Sequence, residues 1–511
     1  MPPNGGQPDV FPSLYACFDA RCVFLLMGCS HKLLFLDDHL LYDVKFYPFP
    51  TANNDPLFAV CGVRDTFLCR ITEDADHPLE LKFLKDLDTS AEYNSCVWTK
   101  HPVTQSPLLC LTGKIPKQIQ IVDIDSGKVI RSLNGHGKGI NDLAISPLST
   151  NLLFSAAEDY TIRLWNLEPQ YEEQPCVAVF AGEGHRQPIL AINVHPNGRW
   201  MLSGSLDNAI CLWAVPEPHE LIRDPKNTGF QTPKTIYYPH FLSTEVHFNY
   251  VDCLKFHGDL IISRASRDVG PSSRTNEILL WKIEGFDSSL PAPAEPPVPS
   301  AGKSTRSSLP HSPQSRGFQR LLTFDMPGTN LFYQRFGLLD TPGMRPILAM
   351  GNQLSKFLFW DLQVLEEGID LVDAARLKKG RGSRKPKLGT ITIDPALNRV
   401  SGLKRDTSIG MSSDGIGNQS VSASSPALSP APADRKYQLA DPFTPIKPHR
   451  VIIPTTNYSK DHFSAKSIAF SPDGSWMVGV GDKGMVCVFN RDKDVVWSIP
   501  PTNPASETMQ T

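Results

Sequence analysis

Apolar and polar residues alternate over short runs along much of this chain, and turn residues break the runs every few positions. That period of two predicts strands, not helices. The pattern also repeats. One unit begins at Gly135 and His136, continues through residues 140–147 (INDLAISP) and 153–159 (LFSAAED), and ends at 161–166 (TIRLWN). The next begins at Gly184 and His185, passes through 189–196 (ILAINVHP) and 203–207 (SGSLD), and ends at 210–214 (ICLWA). In both units Ser stands four residues before Asp and Trp six after it. Weaker copies run from 249 to 282, from 332 to 361 and from 466 to 490, and two degenerate ones start near Tyr42 and Tyr93, seven units in all.

Repetition at this period is the signature of a repeat architecture. The expected fold is all-β, a seven-bladed WD-repeat propeller with four short antiparallel strands per blade. Within each clear unit the polar set can satisfy itself, His with Asp and the indole N–H with Ser. His136, Ser155, Asp159 and Trp165 form one predicted network, and His185, Ser203, Asp207 and Trp213 the other. Ser, His and Asp together could suggest a hydrolase triad, but a triad would not recur from blade to blade.

Length alone, at 511 residues, allows about three domains. Ring closure reduces them to one, spanning residues 35–492 between an N-terminal segment, 1–34, and a tail, 493–511. Proline is abundant, with 45 residues, and two tracts lack apolar periodicity: 289–317, with five prolines between Pro291 and Pro299, and 367–448, with a Lys/Arg cluster followed by a Ser/Gly/Pro stretch. Both are expected to be disordered inserts between blades. The segment around 32–36 is the candidate for the strand that closes the ring.

Composition narrows the chemistry. With 50 basic against 53 acidic residues, the chain has a net charge of −3, so its surface as a whole is not built to grip nucleic acid. The basic cluster of Lys378, Lys379, Arg381, Arg384, Lys385 and Lys387 is a candidate nuclear localisation signal and the one place open to direct DNA contact, and it reads equally well as a plain solvated loop. The 11 cysteines include no C-x-x-C pair, so no zinc site is expected, and they read as buried free thiols. No apolar run approaches the ~18 residues of a membrane span. No metal, cofactor or catalytic group is expected, and no phosphate loop or non-repeating triad supports a propeller enzyme.

Two stretches carry a closer resemblance, 250–263 (YVDCLKFHGDLIIS) and 349–362 (AMGNQLSKFLFWDL). Together with residues 132–168 they resemble the Eed, or extra sex combs, family of WD-repeat subunits of Polycomb repressive complex 2. The resemblance covers roughly 35–366 and 450–492. It implies a non-catalytic nuclear scaffold that contributes to transcriptional repression. Its partners would be a SET-domain histone methyltransferase, other subunits of that complex and a methylated histone H3 tail. It also implies an aromatic cage for trimethyl-lysine, the product mark, that stimulates the catalytic subunit. A competing class, the WD-repeat substrate receptor of a cullin-type ubiquitin ligase, usually shows Trp-Asp-x-Arg after a third strand; here those places read WNLE, WAVP and WDLQ.

The family's cage positions fall on Tyr42, Phe332 and Tyr333. The fourth falls on Asn94 without a gap and on Tyr93 after a one-residue shift. Phe332 stands where the family usually has Trp. Tyr42, Asn94 and Phe332 each lie four residues before a large apolar residue (Phe46, Trp98, Phe336), which suggests one equivalent position in blades 1, 2 and 6. Other blades place Asn141, Asp252 and Lys466 there, and ordinary core aromatics could show the same spacing.

Overall fold

The computed structural model describes residues 11–19, 40–51, 55–63, 66–72, 79–84, 90–221, 232–266, 277–299, 303–367, 441–454 and 462–491. Nearly all belong to a unit made of residues 1–366 and 438–511; a second unit, 367–437, lies outside the described residues except for Glu367. The first unit contains seven sheets; each is built on four antiparallel strands, and three carry a fifth. The third blade shows the pattern: Ile140–Ser146, Ser149–Ala157, Ile162–Asn166 and Cys176–Phe180 pair in sequence order.

Apolar side chains sit between neighbouring sheets, as alternation requires. Phe154, Ile162, Leu164 and Ala178 of the third blade pack on Ile189, Met201, Cys211 and Trp213 of the fourth. A second cluster joins Leu41, Phe58 and Phe67 of the first blade to Val478, Val486 and Val488 of the last. Each blade thus buries its neighbour's face, and the sheets are stable only as a ring.

Ring closure departs from the sequence expectation. The last blade is Ala465–Phe470, Trp476–Gly481 and Met485–Asn490, completed by Ser13–Asp19 from the other end of the chain. Residues 32–36 lie outside the described residues, and 13–19 belong to the propeller, not to a separate N-terminal segment. Ala16 and Phe18 anchor that strand in the cluster shared by the first and last blades.

The inserts also depart from expectation. Thr305–Ser307, within the tract 289–317, pairs antiparallel with Phe241–Ser243 and becomes a fifth strand of the fourth blade. Asn197 and Arg199 donate to the carbonyls of Ser288 and Ser289, and Arg306 donates to that of Glu183. Pro445–Ile446, at the end of the tract 367–448, pairs parallel with Phe318–Asp325 of the fifth blade. Lys234–Ile236 does the same on the third blade. In all three cases the extra strand comes from the chain between the third and fourth strands of the following blade.

Six first strands carry a register shift at one place. The skipped residues are Tyr42, Asn94, Asn141, Leu190, Asp252 and Lys466. A bulge of this kind leaves one residue unpaired and re-aims its side chain. The sixth blade has a short first strand, Gly337–Leu339. Its register, Leu338 to Leu348 to Trp360, matches Ile145 to Leu153 to Trp165 of the third blade. Gln334, not Phe332, therefore holds the equivalent of Tyr42, and Phe332 lies two residues upstream.

Candidate functional site

The repeat networks can be read bond by bond. Trp165 donates its indole N–H to Ser155 Oγ at 2.8 Å, Ser155 donates to His136 Nε2 at 2.7 Å, and His136 Nδ1 faces Asp159 at 2.9 Å. The next blade repeats this with Trp213, Ser203, His185 and Asp207 at 2.8, 2.7 and 3.2 Å. The fifth blade has an abbreviated copy that the sequence did not reveal, Trp281 to Ser263 at 2.9 Å and Ser263 to His247 at 2.7 Å. In each, one serine hydroxyl accepts from the Trp N–H and is hydrogen-bonded to the His ring, so it is engaged on both sides and is not a free nucleophile. Burial lowers the pKa of His136 against the opposing pull of Asp159, and Asp159 is itself lowered: burial would raise it, but His136, Thr161 and the Gly137 N–H outweigh that.

Aromatic residues collect elsewhere, where the chain approaches the sixth blade's first strand. The rings of Tyr42 and Tyr333 meet edge to face at 5.8 Å and 76°. Phe332 lies 5.4 Å from Tyr333, and Tyr250 lies 5.3 Å from Phe332. Tyr333 is buried, whereas Phe332 is 45% exposed, so the cluster has a closed floor and an open side. Tyr250 was not singled out by sequence, although a signal existed. It stands two residues before the bulge residue Asp252, as Phe332 stands two before Gln334, in the adjacent blade.

Tyr93 does not join this cluster. It is 2% exposed, packs among Ala59, Leu68, Leu84 and Leu111 between the first two blades, and hydrogen-bonds through its hydroxyl to Gln120. The bulge explains the correction. Side chains alternate faces along a strand, so a one-residue shift turns an inward position outward. Asn94 is the bulge residue, equivalent to Tyr42, and its buried Oδ1 has no hydrogen-bond partner.

The backbone under the rings is held firmly. Tyr333 has φ 63°, an unusual left-handed conformation for a bulky residue. Its hydroxyl donates to the Asn141 carbonyl. On either side, the Arg335 N–H donates to Lys466 O at 2.7 Å, Lys466 Nζ to Phe332 O at 3.3 Å, and Arg264 to the carbonyls of Thr329 and Leu331 at 2.6 and 3.2 Å. Arg335 packs its guanidinium 4.9 Å from the Tyr333 ring centre and pairs with Asp142 at 2.7 Å.

Asp142 and Asp43 follow bulge residues directly and extend the network. Ser95 donates to Asp142 at 3.1 Å, Ser467 to Asp43 at 3.0 Å, and Lys45 to Asp43 at 3.1 Å. Burial would disfavour the charge on Arg335, but Asp142, with Tyr333 and Asp43, holds its pKa well above the ordinary value. Burial would likewise raise Asp43, yet Lys45, Arg335 and the Cys96 N–H keep it ionised with a lowered pKa. A cavity of about 460 Å³ adjoins the network, lined in part by Lys45, Asp142, Lys255 and Arg335.

Such an arrangement offers ring faces to a cation, with an exposed edge for entry. Its own basic groups are occupied. Arg335 is paired, and Lys466 is engaged with a carbonyl and lowered in pKa by burial. Among the described residues no group of His, Cys, Asp and Glu is placed to hold a metal ion. Lys378, Lys379, Arg381, Arg384, Lys385 and Lys387 lie outside the described residues.

Fold and site together define a WD-repeat propeller with an aromatic cluster where its first strands begin. The family described as "WD domain, G-beta repeat" matches residues 127–166, 174–214 and 455–490. The chain is 34% identical to Polycomb protein EED of Chaetomium thermophilum, over 88% of its own length and 90% of that protein's. It is 28% identical to Polycomb protein esc of Drosophila melanogaster, over 63% and 70% of the two lengths. It also resembles a chain in the crystal structure of the Chaetomium thermophilum polycomb repressive complex 2, at a TM-score of 0.71 and 32% identity, covering 94% of this chain and 98% of that one. A further structure, of ctPRC2 in complex with H3K27me3 and H3K27M, matches at a TM-score of 0.70 with the same identity and coverage. The chain belongs to the Polycomb EED family.

Proposed function

We propose that this chain is the non-catalytic WD-repeat subunit of a Polycomb repressive complex 2, and that its aromatic cluster binds trimethyl-lysine of a histone H3 tail. The catalytic work belongs to a SET-domain partner, and the assembly acts on chromatin in the nucleus. Membership of the EED family and likeness to a subunit of solved polycomb complexes support the scaffold role. The observation that carries the reader role is the convergence of Tyr42, Tyr333 and Phe332, residues from the first and sixth blades.

Trimethyl-lysine keeps its charge but has no N–H to donate. It is held by ring faces through cation–π attraction and dispersion. Tyr42 and Tyr333 supply fixed walls, and Phe332 supplies the exposed one. The Tyr250 ring meets Phe332 edge to face at 5.3 Å. Asn94, the fourth cage position that the resemblance implies, would present an amide in place of a ring on the side of the second blade.

The test is calorimetric titration of the purified protein with a trimethyl-lysine H3 peptide, using the unmodified peptide and Phe332→Ala protein as controls. Mark-dependent binding that is lost in the variant is expected. Equal binding of both peptides, or undiminished binding by the variant, would refute the reader role while leaving the scaffold role to be tested by co-purification with the catalytic subunit.

A further inference from the structure

The seam that closes the ring contains a pair of cysteines. Ser13–Asp19 and Met485–Asn490 run antiparallel, and Cys17 stands directly opposite Cys487. Their Sγ atoms are 3.1 Å apart. Directly opposed residues in an antiparallel pair have Cα atoms about 4.5 or 5.5 Å apart. Both values fall within the roughly 4.4–6.8 Å that a disulfide spans. The sulfurs have about 1 Å to close to reach the roughly 2.05 Å of a disulfide, and Ala16 and Phe18 hold the strand in a cluster with Val478, Val486 and Val488.

Access singles out the same pair. Of the nine described cysteines, eight are buried and Cys17 alone is partly exposed. Burial pushes the thiol of Cys110 up to about 12 and that of Cys253 up to about 11, and burial with the Cys17 contact raises Cys487 as well, so Cys487 enters as the second thiol and not as the one that meets the oxidant. An oxidant arriving from solvent therefore meets Cys17 first among the described thiols, with Cys487 already in contact behind it.

We propose that Cys17 and Cys487 form an oxidative modification site at which a peroxide closes a disulfide across the ring's seam. The Cys17 thiolate attacks one peroxide oxygen. The O–O bond breaks, the departing oxygen leaves as water after taking a proton, and Cys17 becomes a sulfenic acid. The Cys487 sulfur then attacks the Cys17 sulfur. The S–S bond forms as the S–O bond breaks, and the hydroxyl leaves with the Cys487 proton as a second water. Two thiols have lost two electrons, and hydrogen peroxide has been reduced to two waters.

The bridge would tie together strands from opposite ends of the chain. A propeller opens most readily where its ends meet, because there no covalent connection crosses the sheet. A disulfide at that place restricts the unfolded chain over nearly its whole length, the situation in which loop-closure arguments give their largest effect.

The experiment treats the full-length protein with hydrogen peroxide, alkylates it, digests it without reductant and maps linked peptides by mass spectrometry. A parallel sample is melted in oxidised and reduced forms. A Cys17–Cys487 peptide that dithiothreitol abolishes is expected, with a thermal midpoint several degrees higher in the oxidised wild type. Cys17→Ser, at the more exposed position, should fold and lose both effects. A Cys22→Ser, Cys29→Ser background keeps the linkage attributable and should behave as the wild type. The proposal is overturned if Cys17 proceeds to sulfinic acid unlinked, if it pairs with another cysteine, or if oxidation leaves the midpoint unchanged.

Discussion

Tyr42 and Tyr333 come from the first and sixth blades, yet their rings meet edge to face at 5.8 Å, and the Tyr333 hydroxyl reaches the carbonyl of Asn141 in the third blade. The aromatic cluster is thus a product of ring closure, and its geometry depends on contacts far from it in sequence.

If the cage is as proposed, a ring at position 94 should add a wall to it. Asn94 is the bulge residue equivalent to Tyr42, and its amide oxygen lacks a partner. Asn94→Tyr is expected to tighten trimethyl-lysine binding about two- to fivefold, the worth of one exposed cation–π contact at roughly 0.5–1 kcal/mol. Calorimetry against the same peptide measures it. A weakened or unchanged affinity would show that the second blade does not face the bound cation.

Removing Arg335 should destabilise the fold strongly. The guanidinium pairs with Asp142 at 2.7 Å beside a fully buried Asp43. Arg335→Met leaves the buried Asp142 without its cation while Asp43 keeps Lys45, a change that typically costs about 3–5 kcal/mol. Urea unfolding should show the loss, and a loss below about 1 kcal/mol would mean that the network is solvated.

The serine of a repeat network should matter more than its size suggests. Ser155→Ala leaves the Trp165 N–H and His136 Nε2 unsatisfied in the interior. Roughly 1–3 kcal/mol of stability is expected to go for each group so orphaned. Ser263→Ala, in the abbreviated fifth-blade network, should behave alike, and denaturant midpoints of the two variants compare them directly.

Acid should weaken the fold through His136. Its folded pKa lies below the usual 6.5 because burial disfavours the imidazolium. The unfolded chain therefore binds the extra proton first, and stability falls as pH drops below about 6.5. Asp159 is also lowered in the fold, so its contribution is present above its unfolded value near 3.8 and is lost at more acid pH. His185 acts in the opposite sense: burial would lower its pKa, but Cys211 and Asp207 outweigh burial and raise it to about 10. The His136 part is therefore read as a difference: between pH 7.5 and 5 the unfolding free energy should fall more, or rise less, in the wild type than in His136→Gln.

The sequence revealed those parts of the molecule that repeat. His136, Ser155, Asp159 and Trp165 could be named because the same types recur at the same spacing in the next blade. Tyr42, Phe332 and Tyr333 could be named from resemblance. Tyr93 misled because a bulge inserts one residue into an alternating pattern, and no periodicity reveals a bulge. Phe332 was assigned the wrong blade position because Phe336 imitates the large residue that Leu338 supplies. The closing strand and the extra strand Thr305–Ser307 were missed because both pair across long sequence distances, where local alternation carries no information.

The extra strands have a practical consequence for anyone shortening this protein. Thr305–Ser307 covers the outer edge of Phe241–Ser243. Replacing 289–317 by a tight turn would look harmless in a sequence so rich in proline and serine. It would instead uncover a row of unpaired N–H and C=O groups on an apolar strand, the kind of template on which separate molecules zip together. A truncated version should therefore fail first by self-association, with its blades still folded.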